Sequence, residues 1–306
     1  MYNPFDIIKR FKCVYKNYLT VLLKIVMGND KILVIPRKEN LFTLTSVVIP
    51  RAIALALAHN PFSPLKIDGI EIDWEKDLIN FKYNGKEVTL NGGITNGDFA
   101  NVFIKGEYEW LKPTNSIVID VGANIGDTSI FFALNDAKYI YSFEPYPYSY
   151  KLMSKNISEN NLKNIKGFNG ACGKEGNINV DPEYKNTEMD DLKEIPHGYT
   201  IKVYSLSDMI EIIKRDSIQN CDIILKCDCE GCEYDLILYA PSEILAMFSR
   251  IEIEYHYGYA DLKKRLEELN FKVKYSKPVR NVNVYHKNKV GQLGMLYAVK
   301  NDFLKN

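Results

Sequence analysis

From Ser116 onward the chain alternates short apolar runs with helical stretches, and this rhythm constrains its fold more than any other feature. Runs at Ser116–Val121, Tyr139–Glu144, Ile165–Gly170, Ile223–Asp228, Arg250–His256, Phe271–Tyr275 and Gly294–Lys300 read as strands. Helical segments at Thr128–Leu134, Tyr148–Asn160, Ser207–Lys214, Pro241–Phe248 and Ala260–Leu269 lie between most of them. Strands separated by helices pair in parallel, because the crossover returns each strand to the same end of the sheet. The pattern predicts an α/β fold: a doubly wound, mainly parallel, Rossmann-like sheet of seven strands, with ligands at the strands' carboxyl ends. Residues 174–204 are charged and turn-rich and predict an insertion or loop.

The first 110 residues have a different texture. Pro4–Met27 and Pro50–His59 pattern as helices, and Ile67–Asp73, Leu78–Tyr83 and Glu87–Leu90 alternate as strands. Asn84-Gly85 between the last two is a hairpin signal, since both residues tolerate positive φ. The 306 residues therefore divide into a small α+β cap, 1–110, a candidate substrate or partner region, and a ligand-binding domain, 111–306. The apolar stretch Tyr18–Met27 is too short to span a bilayer, and no secretory signal is evident. A cytoplasmic protein without a transmembrane segment is expected, and its oligomeric state is open.

The chemistry concentrates at the ends of the strands. The run Ile117–Val121 leads directly into Gly122-Ala123-Asn124-Ile125-Gly126-Asp127 and then a helix. Glycines here allow a tight turn and close approach to a ligand, and the N–H groups of the helix suit an anionic group such as a carboxylate. The next strand closes on Glu144-Pro145, and Glu144 lies 24 positions beyond Asp120. An acid at that spacing accepts hydrogen bonds from the two ribose hydroxyls of an adenosine. The third loop, carrying Asn169 and Gly170, runs beside the adenine in this reading. Candidate cofactor-binding residues are thus Asp120, Gly122, Asn124, Gly126, Asp127, Glu144, Pro145, Asn169 and Gly170. The turn lacks the G-x-G-x-x-G spacing of a dinucleotide site, which disfavours a nicotinamide dehydrogenase.

Beyond the fourth strand, Asp228 and Glu230 are two carboxylates on one side of the chain, and the fifth strand ends in His256. Glu230, Asp228 and His256, in that order, are the candidates for a base or for orienting a substrate. His256 also has the alternative reading of a hydrogen-bonded structural histidine.

The ordered set VIDVGANIGDTSIFFA, SFEPYP, LKCDCEGCEYDLI and IEIEYH resembles the FkbM-type family of S-adenosylmethionine-dependent methyltransferases, over roughly residues 105–275. The resemblance implies a class I methyltransferase fold, S-adenosylmethionine as cofactor, and methyl transfer to an oxygen of a small-molecule, glycan or lipid-like acceptor. It assigns Asp120, Gly122, Asn124 and Gly126 to the cofactor loop and Glu144 to the ribose. Asp228, Glu230 and Gly231 match the acidic motif after the fourth strand. The sequence departs from the family at Cys227, Cys229 and Cys232, where an apolar or small residue is common. These cysteines read as packed thiols first, with a Cys229–Cys232 disulfide and a metal site as the other readings. No metal is assigned.

Two other functions compete with this one. An RNA methyltransferase calls for a basic approach to the site, and the formal net charge of zero argues against nucleic acid as a partner. Lys272, Lys274, Lys277 and Arg280 could still form a local patch. A cofactor fold that has lost catalysis and only binds a partner is the third reading, which the intact acids Asp120, Glu144, Asp228 and Glu230 disfavour.

Overall fold

The structure, a computed structural model, describes residues 4–59, 61, 65–95, 97–184, 195–216, 221–286 and 289–303. It divides into two compact units, residues 1–107 with 158–161, and residues 108–157 with 162–306.

The second unit is built on one large sheet. Its strands are β1 (Ile117–Val121), β2 (Tyr139–Glu144), β3 (Ile165–Asn169), β4 (Ile223–Cys227), β5 (Phe248–Tyr255), β6 (Phe271–Tyr275) and β7 (Lys289–Lys300). They lie in the order 3-2-1-4-5-7-6. Neighbours from β3 to β5 pair in parallel, and β7 runs antiparallel to both β5 and β6. An eighth strand, Val279–His286, forms a hairpin on β7. It is the one strand of this sheet that apolar periodicity does not reveal, because its polar residues give no run to read.

Every residue of β1 and β4 is buried, as the interior of a parallel sheet covered on both faces requires. The helices α1 (Asp127–Leu134), α2 (Pro147–Glu159), α3 (Leu206–Arg215), α4 (Cys232–Leu238) and α5 (Ala260–Glu267) supply the cover. In α3, Leu206, Met209, Ile210 and Ile213 recur at helical spacing and are buried in the core. Burial of each contributes about 1.5–3 kcal/mol. A capping box, in which Ser205 and Asp208 each accept the other's backbone N–H, starts that helix, satisfying donors that would otherwise lack partners.

The strand order reverses between β1 and β4, and in open α/β sheets ligands bind at the carboxyl ends of the strands beside such a switch point. Register pairs Val121 with Cys227, so the segments that leave β1 and β4 start side by side. The Asp228 N–H donates to the Val121 carbonyl at 3.1 Å.

Several expectations change. Residues 174–204 are not simply a loop: Tyr199–Tyr204 pairs with Gly176–Val180 on one side and Ala171–Cys172 on the other in a three-stranded sheet, though 185–194 lie outside the described residues. The inward alternation of Ile201 and Val203 was hidden by the polar residues between them. The helix at 241–248 shrinks to Ser242–Leu245, because β5 begins at Phe248. Helix α4 follows the acidic motif directly, where no helix is predicted.

In the first unit, Pro4–Met27 forms two helices, Pro4–Val14 and Tyr18–Val26. Between them the side chain of Asn17 bonds to the Ile35 N–H and the Leu33 carbonyl at 2.8 and 3.0 Å, which takes it out of a helical role. Lys31–Val34 pairs with Val47–Pro50, so Pro50 ends a strand and the helix starts at Arg51. Asn84 and Gly85 turn the hairpin with φ of 48° and 78°, as that dipeptide predicts. Among the described residues no helix is long and apolar enough to cross a membrane.

Candidate active site

Asp120 stands at the end of β1, fully buried. Its Oδ2 accepts from the Thr128 and Ser129 hydroxyls at 2.7 and 2.6 Å, tying the strand to the first turn of α1. Its Oδ1 lies 3.3 Å from the Lys226 ammonium, an ion pair without an aligned hydrogen bond. Asp120 therefore shapes the turn from beneath.

Lys226, which sequence reasoning missed, reaches out of β4 with 1% of its side chain exposed. It donates to the carbonyls of Gly122 and Val121 at 2.7 and 3.2 Å. Burial works against its charge, but Asp120, Asp228 and Asp127 outweigh burial and raise its pKa. A lysine in an otherwise apolar strand was the available signal, since a buried cation needs anionic partners.

The glycines of the turn are required by the chain itself. A Cβ on Gly122, at φ +73°, would stand 1.7 Å from the Asp228 carbonyl oxygen. One on Gly126, at φ +87°, would meet the Met153 side chain at 2.8 Å. Asn124 also has positive φ, 44°. The Asp127 carboxyl is buried in the first turn of α1. Burial, chiefly, pushes that carboxyl up to about 7, against the pull of Lys226.

Glu144 closes β2 with 5% exposure. Its two oxygens accept from the Asn124 and Tyr146 N–H groups at 3.0 and 2.9 Å. It thereby joins the β1–α1 turn to its own strand end. Burial pushes its pKa up to about 7, against those two hydrogen bonds. Asn169 donates to the carbonyls of Glu144 and Pro145 at 3.0 and 2.9 Å, and the Gly170 N–H to the Glu144 carbonyl at 3.1 Å. A Cβ on Gly170 would strike the Tyr204 ring at 2.5 Å. These residues brace the Glu144 backbone.

Past β4, Glu230 and Gly231 both have positive φ, 55° and 114°, a conformation that costs a non-glycine residue on the order of 1 kcal/mol or more. The bend presents the Glu230 carboxylate to His256, whose Nε2 lies 3.0 Å from Glu230 Oε2 without hydrogen-bond alignment. Asp228 accepts from the Tyr108 hydroxyl at 3.3 Å. Asp228, Glu230 and His256 bring one ligand atom each within 4.8 Å of one another.

Behind them sits Glu233, a second residue that sequence reasoning passed over. Fully buried in the first turn of α4, it accepts from the His256 backbone N–H and faces His256 Nδ1, both at 3.0 Å. Its other oxygen takes the Gly231 N–H at 2.8 Å. Burial disfavours a charged imidazole here, yet Glu233 and Glu230 raise the His256 pKa well above its ordinary value.

The cysteines need a correction. Cys229 and Cys232 form a disulfide across Glu230-Gly231, rather than packing as separate thiols. The left-handed bend at 230–231 brings their Cα atoms to 5.5 Å, within disulfide range, and strand alternation cannot foresee such a bend. Cys227 does pack as a buried thiol, 3.7 Å from the Cys229 sulfur.

The FkbM methyltransferase domain matches residues 120–273, just over half of the chain and the stretch that holds these groups. No curated protein sequence matches the chain. The solved structure of precorrin-6y C5,15-methyltransferase from Geobacter metallireducens is similar at TM-score 0.36 and 13% identity, over 63% of this chain and 85% of that one. Precorrin 8W decarboxylase of Methanobacterium thermoautotrophicum is similar at 0.36 and 13%, over 65% and 89%. TYW2 of M. jannaschii, in complex with AdoMet, is similar at 0.34 and 15%, over 78% and 87%. Likeness at that level carries no argument about activity; the domain match and the sheet order do. The chain belongs to the FkbM methyltransferase domain family and is an S-adenosylmethionine-dependent methyltransferase.

Proposed function

We propose that this methyltransferase transfers its methyl group to a hydroxyl oxygen of a small-molecule, glycan or lipid-like acceptor. The cofactor lies along the switch point, its ribose on Glu144 and its methionine end by the Gly122–Gly126 turn. A carboxylate offers about four acceptor sites, so Glu144 can hold two backbone N–H groups and still receive ribose hydroxyls.

The observation that carries the acceptor assignment is the grouping of Asp228, Glu230 and His256 beside the turn, with the Asp228 carbonyl against Gly122. The sulfonium methyl is already activated, so transfer needs in-line positioning at about 3–3.5 Å and a base for the hydroxyl. Glu230 is that base, its side chain 23% exposed. Asp228, oriented by Tyr108, holds the acceptor. His256, held by Glu233, positions Glu230. The formal net charge of zero favours this acceptor class over RNA.

The test is incubation with methyl-labelled S-adenosylmethionine and, separately, polar-metabolite, glycan and lipid extracts and total RNA. Label in an alkali-stable ether of a non-nucleic-acid fraction is expected. Label confined to RNA, or lost in alkali as a carboxyl ester is, overturns the reading.

A further inference from the structure

We propose that Asp228, Glu230 and His256 form the binding site of one divalent transition cation. The three donor atoms, two carboxylate oxygens and an imidazole nitrogen, lie within 4.8 Å of one another. The His256 Nε2–Glu230 Oε2 separation of 3.0 Å equals the edge between adjacent ligands of an octahedral ion, about 3 Å for bonds near 2.1 Å. His256 is fully buried, and its Nε2 makes no aligned hydrogen bond. A buried ring nitrogen aimed at two carboxylates is the arrangement a cation satisfies.

Glu233 supplies the supporting layer. Facing His256 Nδ1 at 3.0 Å, it selects the tautomer whose Nε2 lone pair points at Asp228 and Glu230. Histidine ligands ordinarily have such a carboxylate behind them. Its remaining bonds, to the His256 and Gly231 N–H groups, fix the carboxylate itself. The Tyr108 hydroxyl holds Asp228 in the same way. Binding displaces the proton from His256 Nε2; two carboxylates and the resulting neutral imidazole balance a divalent charge, and this mixed oxygen–nitrogen set suits Mn2+, Fe2+ or Zn2+ better than Ca2+. The nearby sulfurs are poorer ligands, because Cys229 and Cys232 are joined to each other.

What fills the open positions rests on the proposed function: an acceptor hydroxyl, bound to the ion as a Lewis acid. Its proton passes to the Glu230 oxygen not engaged by the ion as the alkoxide attacks the sulfonium methyl. The products are a methyl ether, S-adenosylhomocysteine and one proton.

The test titrates chelator-treated full-length protein with Mn2+ by calorimetry and electron paramagnetic resonance, with S-adenosylhomocysteine binding measured in parallel. One Mn2+ per chain is expected, with nitrogen modulation of its spin echo from His256. Glu230→Gln should weaken it at least ~10-fold and Glu233→Gln about 10–100-fold, with homocysteine-cofactor affinity retained in both. Absent saturable binding, an echo without nitrogen modulation, or sensitivity to Cys227→Ser instead of these variants overturns the site. Cation binding without cofactor binding would sustain the ion site and sink the acceptor reading alone.

Discussion

The Asp228 carbonyl oxygen occupies the space that a side chain on Gly122 would need, 1.7 Å from the ideal Cβ position. The turn after β1 and the acidic motif after β4 are thus packed backbone against backbone, and neither can shift alone. Gly122→Ala combines this collision with a left-handed φ and should cost on the order of 4 kcal/mol, lowering Tm by about 10 °C. Gly85→Ala is the control. It has similar φ but nothing within 4 Å of its Cβ, so about 1 kcal/mol of strain is all it should show. Equal melting temperatures for the two variants would contradict the packing argument.

Lys226→Met removes the only ammonium that touches Asp120 among the described residues. It leaves a buried carboxylate uncompensated, a loss of about 3–5 kcal/mol. Adding Asp120→Asn should restore a substantial part of it, and a double-mutant cycle in urea measures the coupling. Additive losses would show that the two residues act separately.

Stability should also depend on pH. Glu144 and Asp127 are both pushed up to about 7 from ordinary values of 4.5 and 3.8. Between those limits the folded protein holds protons that the unfolded chain has released. The cofactor-free protein therefore loses stability as pH rises from about 4.5 to 7, by on the order of 3 kcal/mol per group, and the full cost is present above pH 7. Thermal unfolding in that window should show a shallower pH slope for Glu144→Gln than for the parent. Parallel slopes would remove Glu144 from the account.

The disulfide gives a direct count. Protein denatured without reductant should expose four reactive thiols, Cys13, Cys172, Cys221 and Cys227, and six after reduction. Cys232→Ser should cost about 2 kcal/mol, the loop-closure contribution of so short a ring. Six thiols before reduction would dismiss the bond.

The sheet was readable from sequence because β1, β2 and β4 are mostly apolar runs with most or all of their residues buried, and β5 alternates apolar and polar residues from Arg250 on. The turn and its link to Glu144 were readable because glycines mark a sharp bend and the acid closes the neighbouring strand. Lys226 and Glu233 were not. Their roles depend on burial, which turns a surface-type side chain into an obligatory partner, and burial is set by tertiary packing. The bonds that Asp120 makes within the protein depend on packing in the same way. Thr128, Ser129 and Lys226 surround its carboxylate, and together they hold the turn. The bend at Glu230-Gly231, with its disulfide, lies in backbone conformation that side-chain patterning does not encode.

The central claim is that Glu144 and the glycine turn grip one adenosine, and calorimetric titration with S-adenosylhomocysteine tests it most directly. Saturable one-to-one binding is predicted, weakened about 100-fold in a folded Glu144→Ala variant by the loss of two charge-assisted hydrogen bonds. No binding by the parent protein, or equal affinity in the variant, would contradict it.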